Sequence, residues 1–163
     1  MDLIQFFQQF DFPINIFLMK GVTLLGNAYI YPIYPIFAYF VLNKRDFLSY
    51  LGIIILSGII NEILKNGFVL PRPPADLHLI SVSGFGFPSG HAQMSVVVWG
   101  WLGYHYNRIV PAFVMIFIIG FSRLYLGVHF SHQIIGGWTI GFVILMGWIF
   151  TERVLKKSDY FRK

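Results

Sequence analysis

The segment FLSYLGIIILSGIINEILKN, Phe47–Asn66, decides the fold, because it is apolar and, at about 20 residues, long enough to cross a bilayer as one helix. Tyr29–Leu42 is a shorter apolar stretch that contains Pro32 and Pro35, so we expect it to be kinked. Ile14–Leu25 before it is interpreted as a re-entrant or tilted extension. Three further stretches are similar to the first: Ala92–Tyr106, Ile109–Leu126 and Gln133–Thr151. Together they predict an all-α, polytopic transmembrane helical bundle of five to six spans.

The composition also points to a bilayer. Of the 163 residues, 56% are hydrophobic and 12% are charged, whereas a soluble domain has about 25% charged residues. So little polar surface cannot cover a water-soluble globule, which excludes soluble enzymes. We predict a single integral-membrane domain over residues 1–163. The absence of cysteine excludes disulfides and thiolate zinc sites.

The two ends of the chain differ in charge. Met1–Phe12 carries two aspartates and neither lysine nor arginine, which is unlike a signal peptide. Its apolar residues fall on one helical face, so we predict an interfacial amphipathic helix over residues 1–12, with a frayed polar terminus as the alternative. Residues 152–163 are predicted to form a basic cytoplasmic tail.

The positions of the basic residues predict the orientation. Lysine and arginine in short loops mark the cytoplasmic side of a membrane protein. In chain order, eight of the twelve basic residues follow the span 29–42, the span 92–106 or the last span, 133–151. They are Lys44, Arg45, Arg108, Arg153, Lys156, Lys157, Arg162 and Lys163. The loops 67–90 and 127–131 are therefore predicted on the extracytoplasmic side of the cell (inner) membrane. Gly137-x-x-x-Gly141 predicts close helix contact, either within one subunit or in a homo-oligomer.

Polar residues that could bind an anion gather at the extracytoplasmic ends of the spans. The loop 67–90 is rich in proline and glycine, so it must lie at the surface or line a cavity. Taken singly, Lys65 is a snorkelling lysine and Ser89 a helix cap. Taken together, three cations, a hydroxyl, helix-start N–H groups and two histidines can hold a tetrahedral oxyanion. One histidine could attack phosphorus while the other transfers the proton.

Three motifs carry a family resemblance over about residues 45–155. They are similar to the signature motifs of the type 2 phosphatidic acid phosphatase superfamily: Lys65-x6-Arg72-Pro73, Pro88-Ser89-Gly90-His91 and Ser122-Arg123-x5-His129. The resemblance implies that His129 is the nucleophile and forms a phosphohistidine, while His91 is the general acid and base. It implies that the phosphate oxygens are stabilised by Lys65, Arg72, Ser89, the Gly90 N–H and Arg123. No metal or other cofactor is implied, and His129-x-x-His132 lacks the carboxylate or cysteine companions of a metal pair.

One position departs from the pattern, because Gln133 stands where the superfamily usually has an aspartate. A glutamine carbonyl can accept the His129 Nδ1–H and orient the ring, but it adds no charge. Alternatively, Gln133 caps the last span while Asp76 or Glu62 orients His129.

Glutamine at this position resembles two branches, the glucose-6-phosphatases and the dolichyl-diphosphate phosphatases. His129–Gln133 is similar to the first branch. Asn61-Glu62, His91-Ala92-Gln93 and Trp148–Glu152 are similar to the second, and they favour a polyprenyl diphosphate. We also interpret Phe85 and Phe87 as the lining of a lateral entrance for the lipid tail, with packing within the loop as the alternative.

The predicted function is an integral-membrane phosphatase that acts on a lipid phosphate or diphosphate, first of all a polyprenyl (undecaprenyl-type) diphosphate. Phosphatidate, phosphatidylglycerol phosphate and lipid A phosphate are alternative substrates. A non-catalytic anion transporter is a remote alternative, since it leaves both histidines and Ser89 unexplained. The expected partners are the lipid substrate and the bilayer, and no nucleic acid.

Overall fold

The computed structural model describes residues 3–10, 12–27, 30 and 33–161, and every regular element over these residues is helical. The predicted all-α class is therefore confirmed. Part of the predicted Tyr29–Leu42 span, including Pro32, lies outside the described residues. The elements are α1 (Leu3–Gln8), α2 (Pro13–Leu24), α3 (Ile33–Val41), α4 (Lys44–Phe68), a 3-10 turn (Ala75–Leu77), α5 (Gly90–His105), α6 (Ile109–Tyr125) and α7 (Ser131–Phe161).

Local sequence explains the limits of the long helix α4. The Asn43 side chain caps its first turn by accepting a hydrogen bond from the Asp46 N–H at 3.0 Å. The helix ends where Val69 takes a left-handed conformation, with φ 52°, and donates its N–H to the Lys65 carbonyl. With 25 residues, α4 is about 37 Å long. Lys65 lies in its last turn, at the start of the loop that follows.

Two helical segments have the length and composition needed to cross a membrane, Asp46–Phe68 and Ser131–Leu155. α2 and α6 are shorter apolar helices. α7 continues to Phe161, so most of the predicted tail 152–163 is helical. The reason is local, because no proline or glycine follows Gly147 and the residues that do follow include good helix formers.

The helix α5 lies at the centre of the bundle and packs against α4, α6 and α7. Its Val97 and Trp101 are fully buried. The two glycines of the last span face it, because a Cβ at Gly137 would collide with the Ser89 carbonyl and one at Gly141 with the Gln93 carbonyl. The predicted glycine motif therefore brings α5 and α7 together within one subunit.

The first helix docks on the bundle. Ile4 is fully buried in a cluster with Ala92, Leu124 and Ile134. The Gln8 side chain donates hydrogen bonds to the Leu77 and Tyr125 carbonyls, at 2.9 and 3.2 Å. The apolar face predicted for residues 1–12 is thus divided between the protein and the exterior: Leu3, Phe6 and Phe10 remain exposed.

Candidate active site

Two loops meet at the end of the bundle where α4 ends and α5 begins. The Leu79 N–H donates to the Leu126 carbonyl at 3.0 Å, and the Ser89 N–H donates to the Gln133 carbonyl at 3.1 Å. A cavity of about 460 Å³ opens between these loops and the helices. Six of the eight predicted site residues line it: Lys65, Arg72, Gly90, His91, Arg123 and His129. Ser89 and Gln133 are buried behind this lining, 0% and 1% exposed.

His129 has both ring nitrogens engaged. Its Nε2 lies 2.9 Å from Arg72 Nη1, and its Nδ1 lies 3.2 Å from Gln133 Oε1. The Gln133 amide can have only one orientation, because its Oε1 also accepts the Phe130 N–H at 3.2 Å and its Nε2 donates to the Pro71 carbonyl at 2.7 Å. His129 therefore carries its proton on Nδ1. The lone pair of Nε2 accepts the hydrogen bond from Arg72.

The surroundings of His129 favour the neutral imidazole. The ring lies in the loop between α6 and α7 and is 1% exposed. Burial lowers its pKa well below 6.5, and the charges of Arg72 and Arg123 lower the pKa further. The hydrogen bond to Gln133 raises the pKa of His129, and the charge of Lys65 lowers it. At neutral pH the histidine is thus unprotonated at Nε2.

Arg72 ties the long loop to the loop that carries His129. Its Nε donates to the Gly84 carbonyl at 2.9 Å and its Nη2 to the Ser83 carbonyl at 3.0 Å. Its Nη1 donates to the Val128 carbonyl, also at 3.0 Å, besides contacting His129. These bonds fix the guanidinium plane in front of the histidine. A planar fork held in this way suits an oxyanion.

The other two cations are held from different segments. The Lys65 ammonium donates to the Phe85 carbonyl at 3.3 Å. Arg123, 3% exposed, donates from Nη1 to the Thr23 hydroxyl at 2.6 Å. α2 therefore contributes to the site, although sequence reasoning assigned it no site residue. The sequence indicates only that Thr23, a polar residue in an apolar helix, needs a partner, and not that the partner is Arg123.

The start of α5 presents two polar atoms that have no hydrogen-bond partner among the described residues, Ser89 Oγ and His91 Nε2. Ser89 occupies the cap position, yet its hydroxyl makes no capping bond. Buried polar atoms are normally paired, so both atoms have unused hydrogen-bonding capacity; His91 lines the cavity, whereas Ser89 lies behind its lining. Gly90 lies close to Asn61, where a Cβ would stand 3.0 Å from the Asn61 Oδ1.

A buried amide network beneath the cavity was not predicted as part of the site. Asn61 Nδ2 donates to Gln93 Oε1 at 2.9 Å, and Gln93 Nε2 donates to the Ser57 carbonyl at 2.8 Å. In the sequence, Asn61 and Gln93 indicate only a resemblance to the dolichyl-diphosphate branch. Their spacing on two different spans gave no sign that they touch. The network joins α4 to α5 directly below the cavity.

The aromatic entrance predicted for Phe85 and Phe87 is not where the cavity lies, since neither residue lines it. Phe87 packs edge-on against Phe68, with ring centroids 5.0 Å apart, and against Gly136. The missing side chain of Gly136 leaves the room that this ring fills. Ser81, Val82 and Ser83 line the cavity instead.

Glu62 was an alternative orienting residue for His129, and His132 was considered as the partner of His129 in a metal pair. Glu62 lines the cavity and accepts a hydrogen bond from Asn66, while the Nδ1 of His129 faces Gln133. His132 is exposed and stacks on Phe130 with an interplanar angle of 15°. Within the described part of the chain, no three His, Cys, Asp or Glu side chains gather as a metal site.

The sequence was compared with family models and with known proteins, and both comparisons point to one family. The model of the PAP2 superfamily matches residues 46–156. The chain is 29% identical over 142 residues to phosphatidylglycerophosphatase B of Bacillus subtilis, covering 77% of this chain and 70% of that protein. It is 27% identical over 156 residues to human dolichyldiphosphatase 1, covering 81% of this chain and 66% of that protein, slightly less than two thirds.

Two crystal structures share the fold. The transmembrane PAP2-type phosphatidylglycerolphosphate phosphatase from Bacillus subtilis has a TM-score of 0.82 at 24% identity, covering 93% of this chain and 83% of its own. LpxE from Aquifex aeolicus has a TM-score of 0.77 at 23% identity, with coverages of 90% and 92%. The family match contains all eight predicted site residues. The chain therefore belongs to the PAP2 superfamily, in its membrane branch.

Proposed function

We propose that this cavity hydrolyses the phosphate of a lipid, releasing inorganic phosphate through a phosphohistidine on His129. The observation that carries the proposal is the state of His129: its proton is fixed on Nδ1, and its Nε2 lone pair lies beside the cavity, next to Arg72. Histidine in this state is a nucleophile, and the three cations offer charge for a phosphoryl group.

The reaction proceeds in two balanced steps. In the first, His129 Nε2 attacks phosphorus, the bond from phosphorus to the lipid oxygen breaks, and that oxygen takes a proton from His91. In the second, water attacks phosphorus, the phosphorus–nitrogen bond breaks, and His91 takes the proton from the water. Phosphate and neutral His129 are the result. His91 can serve both steps because its Nε2 is engaged by no described residue.

Charge stabilisation falls to the residues around the phosphoryl group. Arg72 exchanges its bond to His129 for one to a phosphate oxygen, which frees the Nε2 lone pair as the substrate binds. Lys65 and Arg123 neutralise the remaining oxygens, and Ser89 Oγ and the Gly90 N–H are further donors. Such preorganised donors are the main source of catalysis in phosphoryl transfer.

The proposed substrate is a polyprenyl diphosphate, supported by the residues that resemble the dolichyl-diphosphate branch and by the similarity to human dolichyldiphosphatase 1. Phosphatidylglycerol phosphate is the second candidate, supported by the similarity to phosphatidylglycerophosphatase B. We place the site on the extracytoplasmic side of the inner membrane, in a bundle of five to six spans. Lys44 and Arg108 support this orientation, since they lie at the opposite helix ends.

The substrate proposal predicts an order of rates. Purified protein in detergent is assayed for phosphate release from undecaprenyl diphosphate, phosphatidylglycerol phosphate, phosphatidate and a lipid A phosphate. We expect the diphosphate to have the highest kcat/KM, at least about 10-fold above phosphatidate, a ratio equivalent to one well-made polar contact. Faster turnover of phosphatidate would remove the polyprenyl proposal while leaving a lipid phosphatase.

Metal independence is a separate expectation, because three side-chain cations and a histidine nucleophile supply what a divalent ion supplies elsewhere. Phosphate release should stay within about two-fold of its untreated rate in saturating EDTA, given that no step uses a metal. Added magnesium should have no further effect. Loss of activity in EDTA that magnesium restores would contradict this mechanism.

A further inference from the structure

A second cavity, of about 560 Å³, adjoins the catalytic one between α2 and the loop that contains Ile80. Five residues line both cavities: Asn27, Ser81, Val82, His91 and Arg123. His91 is the proposed acid, so the oxygen that it protonates lies where the cavities meet. A group bonded to that oxygen can extend into the second cavity.

The wall of the second cavity is mostly apolar. Phe17, Leu24, Ile80 and Val82 contribute to it, together with one cation that the mechanism has not used, Lys20. An alkyl or isoprenoid chain suits the apolar part. The cation suits a charged group near the head of the chain.

Lys20 faces this cavity because of its position on α2. Phe17, Lys20 and Thr23 follow a spacing of three residues within α2, which places them on one helical face. The hydrogen bond from Arg123 to the Thr23 hydroxyl turns that face towards the site. Lys20 lies one turn from Thr23, about 4.5 Å along the axis.

No other residue of α2 is charged, and in an apolar helix a charge requires a reason. Snorkelling to the membrane surface is the ordinary explanation for such a lysine. Here the side chain lines a cavity that shares a wall with the phosphate site. Lys20 forms no ion pair with an acidic side chain in the described ranges, so its charge is available to an anionic ligand.

We propose that Lys20 binds a second phosphate of the substrate, one that is not transferred, so that the enzyme prefers lipids with two phosphates to lipids with one. This inference rests on the proposed function of the catalytic cavity. The second phosphate is the inner phosphate of a polyprenyl diphosphate or the phosphodiester of phosphatidylglycerol phosphate. Phosphatidate has no such group.

With a diphosphate substrate, the first step breaks the bond between the terminal phosphorus and the bridging oxygen. The terminal phosphoryl group forms a bond to His129 Nε2, and its bond to the bridging oxygen breaks. The bridging oxygen takes the proton from His91. The leaving lipid monophosphate then lies in the second cavity, with its phosphate at Lys20 and its chain along the apolar wall.

Lys20→Met tests this, because methionine keeps much of the length of lysine and removes its charge. The substrates are farnesyl diphosphate and farnesyl monophosphate, which share one chain. We expect kcat/KM for the diphosphate to fall about 10-fold or more, and that for the monophosphate by less than about two-fold, since a charge-assisted contact is lost for one substrate only. Lys20→Arg should retain the preference, and Lys44→Met, at the other end of the bundle, is the matched control.

A second pair of substrates, phosphatidylglycerol phosphate and phosphatidate, identifies the source of the second phosphate. A selective loss confined to farnesyl diphosphate supports the inner phosphate, and one confined to phosphatidylglycerol phosphate supports the phosphodiester. If Lys20→Met lowers both members of each pair equally, or lowers neither, the Lys20 proposal is overturned. If the wild-type protein releases phosphate from none of the four lipids, the proposed function itself fails.

Discussion

In the His129→Ala protein we expect phosphate release to fall at least about 10⁴-fold in kcat, because the atom that attacks phosphorus is gone and no neighbouring group can replace it. Substrate binding should change much less, since the three cations remain. The measurement is phosphate release together with chemical trapping. Wild-type protein quenched in alkali after brief exposure to radiolabelled substrate should carry label on histidine, and the variant should carry none.

A matched control lies three residues further along. His132 is exposed, stacks on Phe130 and does not line the cavity. His132→Ala should retain activity within about three-fold, as a surface substitution away from the site does. Full activity in His129→Ala would end the nucleophile proposal. The transporter alternative would be favoured instead if the wild type showed no phosphatase activity but transported anions, and if His129→Ala lost that transport.

The second large effect is expected at Arg72. Arg72→Met should lower kcat/KM about 10³-fold, because the site loses a proposed phosphate contact and the tie between its two loops. Arg72→Lys keeps the charge but loses the planar fork, so its loss should be smaller, about 10²-fold. A thermal unfolding curve in detergent separates these effects from misfolding.

The pH profile gives Arg72 a second readout. His129 must be neutral to attack, so activity falls when acid protonates it. The charge of Arg72 helps to hold the His129 pKa below 6.5. Removing that charge raises the pKa, and the acid limb of kcat/KM should move to higher pH in Arg72→Met than in Arg72→Lys. The ionisation of the substrate is common to both variants and cancels. Identical limbs would contradict an electrostatic role for Arg72.

The sequence predicted much of the site because buried charge must be explained. Lys65, Arg72 and Arg123 lie within or beside apolar spans, and three cations that repel one another at one end of the bundle are best explained by a shared anion. The orienting role predicted for Gln133 came from the resemblance, because Gln133 stands where the superfamily usually has an aspartate. The first prediction depends on an energetic penalty that a single sequence displays, and the second on a motif with fixed spacing.

Other features depend on contacts between distant segments, and these were missed. Thr23 and Arg123 are 100 residues apart, and no local period reveals that they touch. Phe87 packs in the gap left by Gly136, and no local pattern in the sequence pairs these two residues. The free hydroxyl of Ser89 also differs from the capping role that its position suggests, because capping depends on a side-chain torsion that the sequence does not specify.

The position of α2 has a wider consequence. All eight proposed site residues lie within residues 46–156, the stretch that matches the family. The wall that carries Lys20 comes from residues that precede that stretch. The proposed bond-cleaving residues and the proposed Lys20 contact are therefore encoded in successive parts of one gene. A chimera joined near Asn43 should exchange the contribution of α2 to lipid preference while keeping the chemistry and the Ile80 and Val82 side of the cavity.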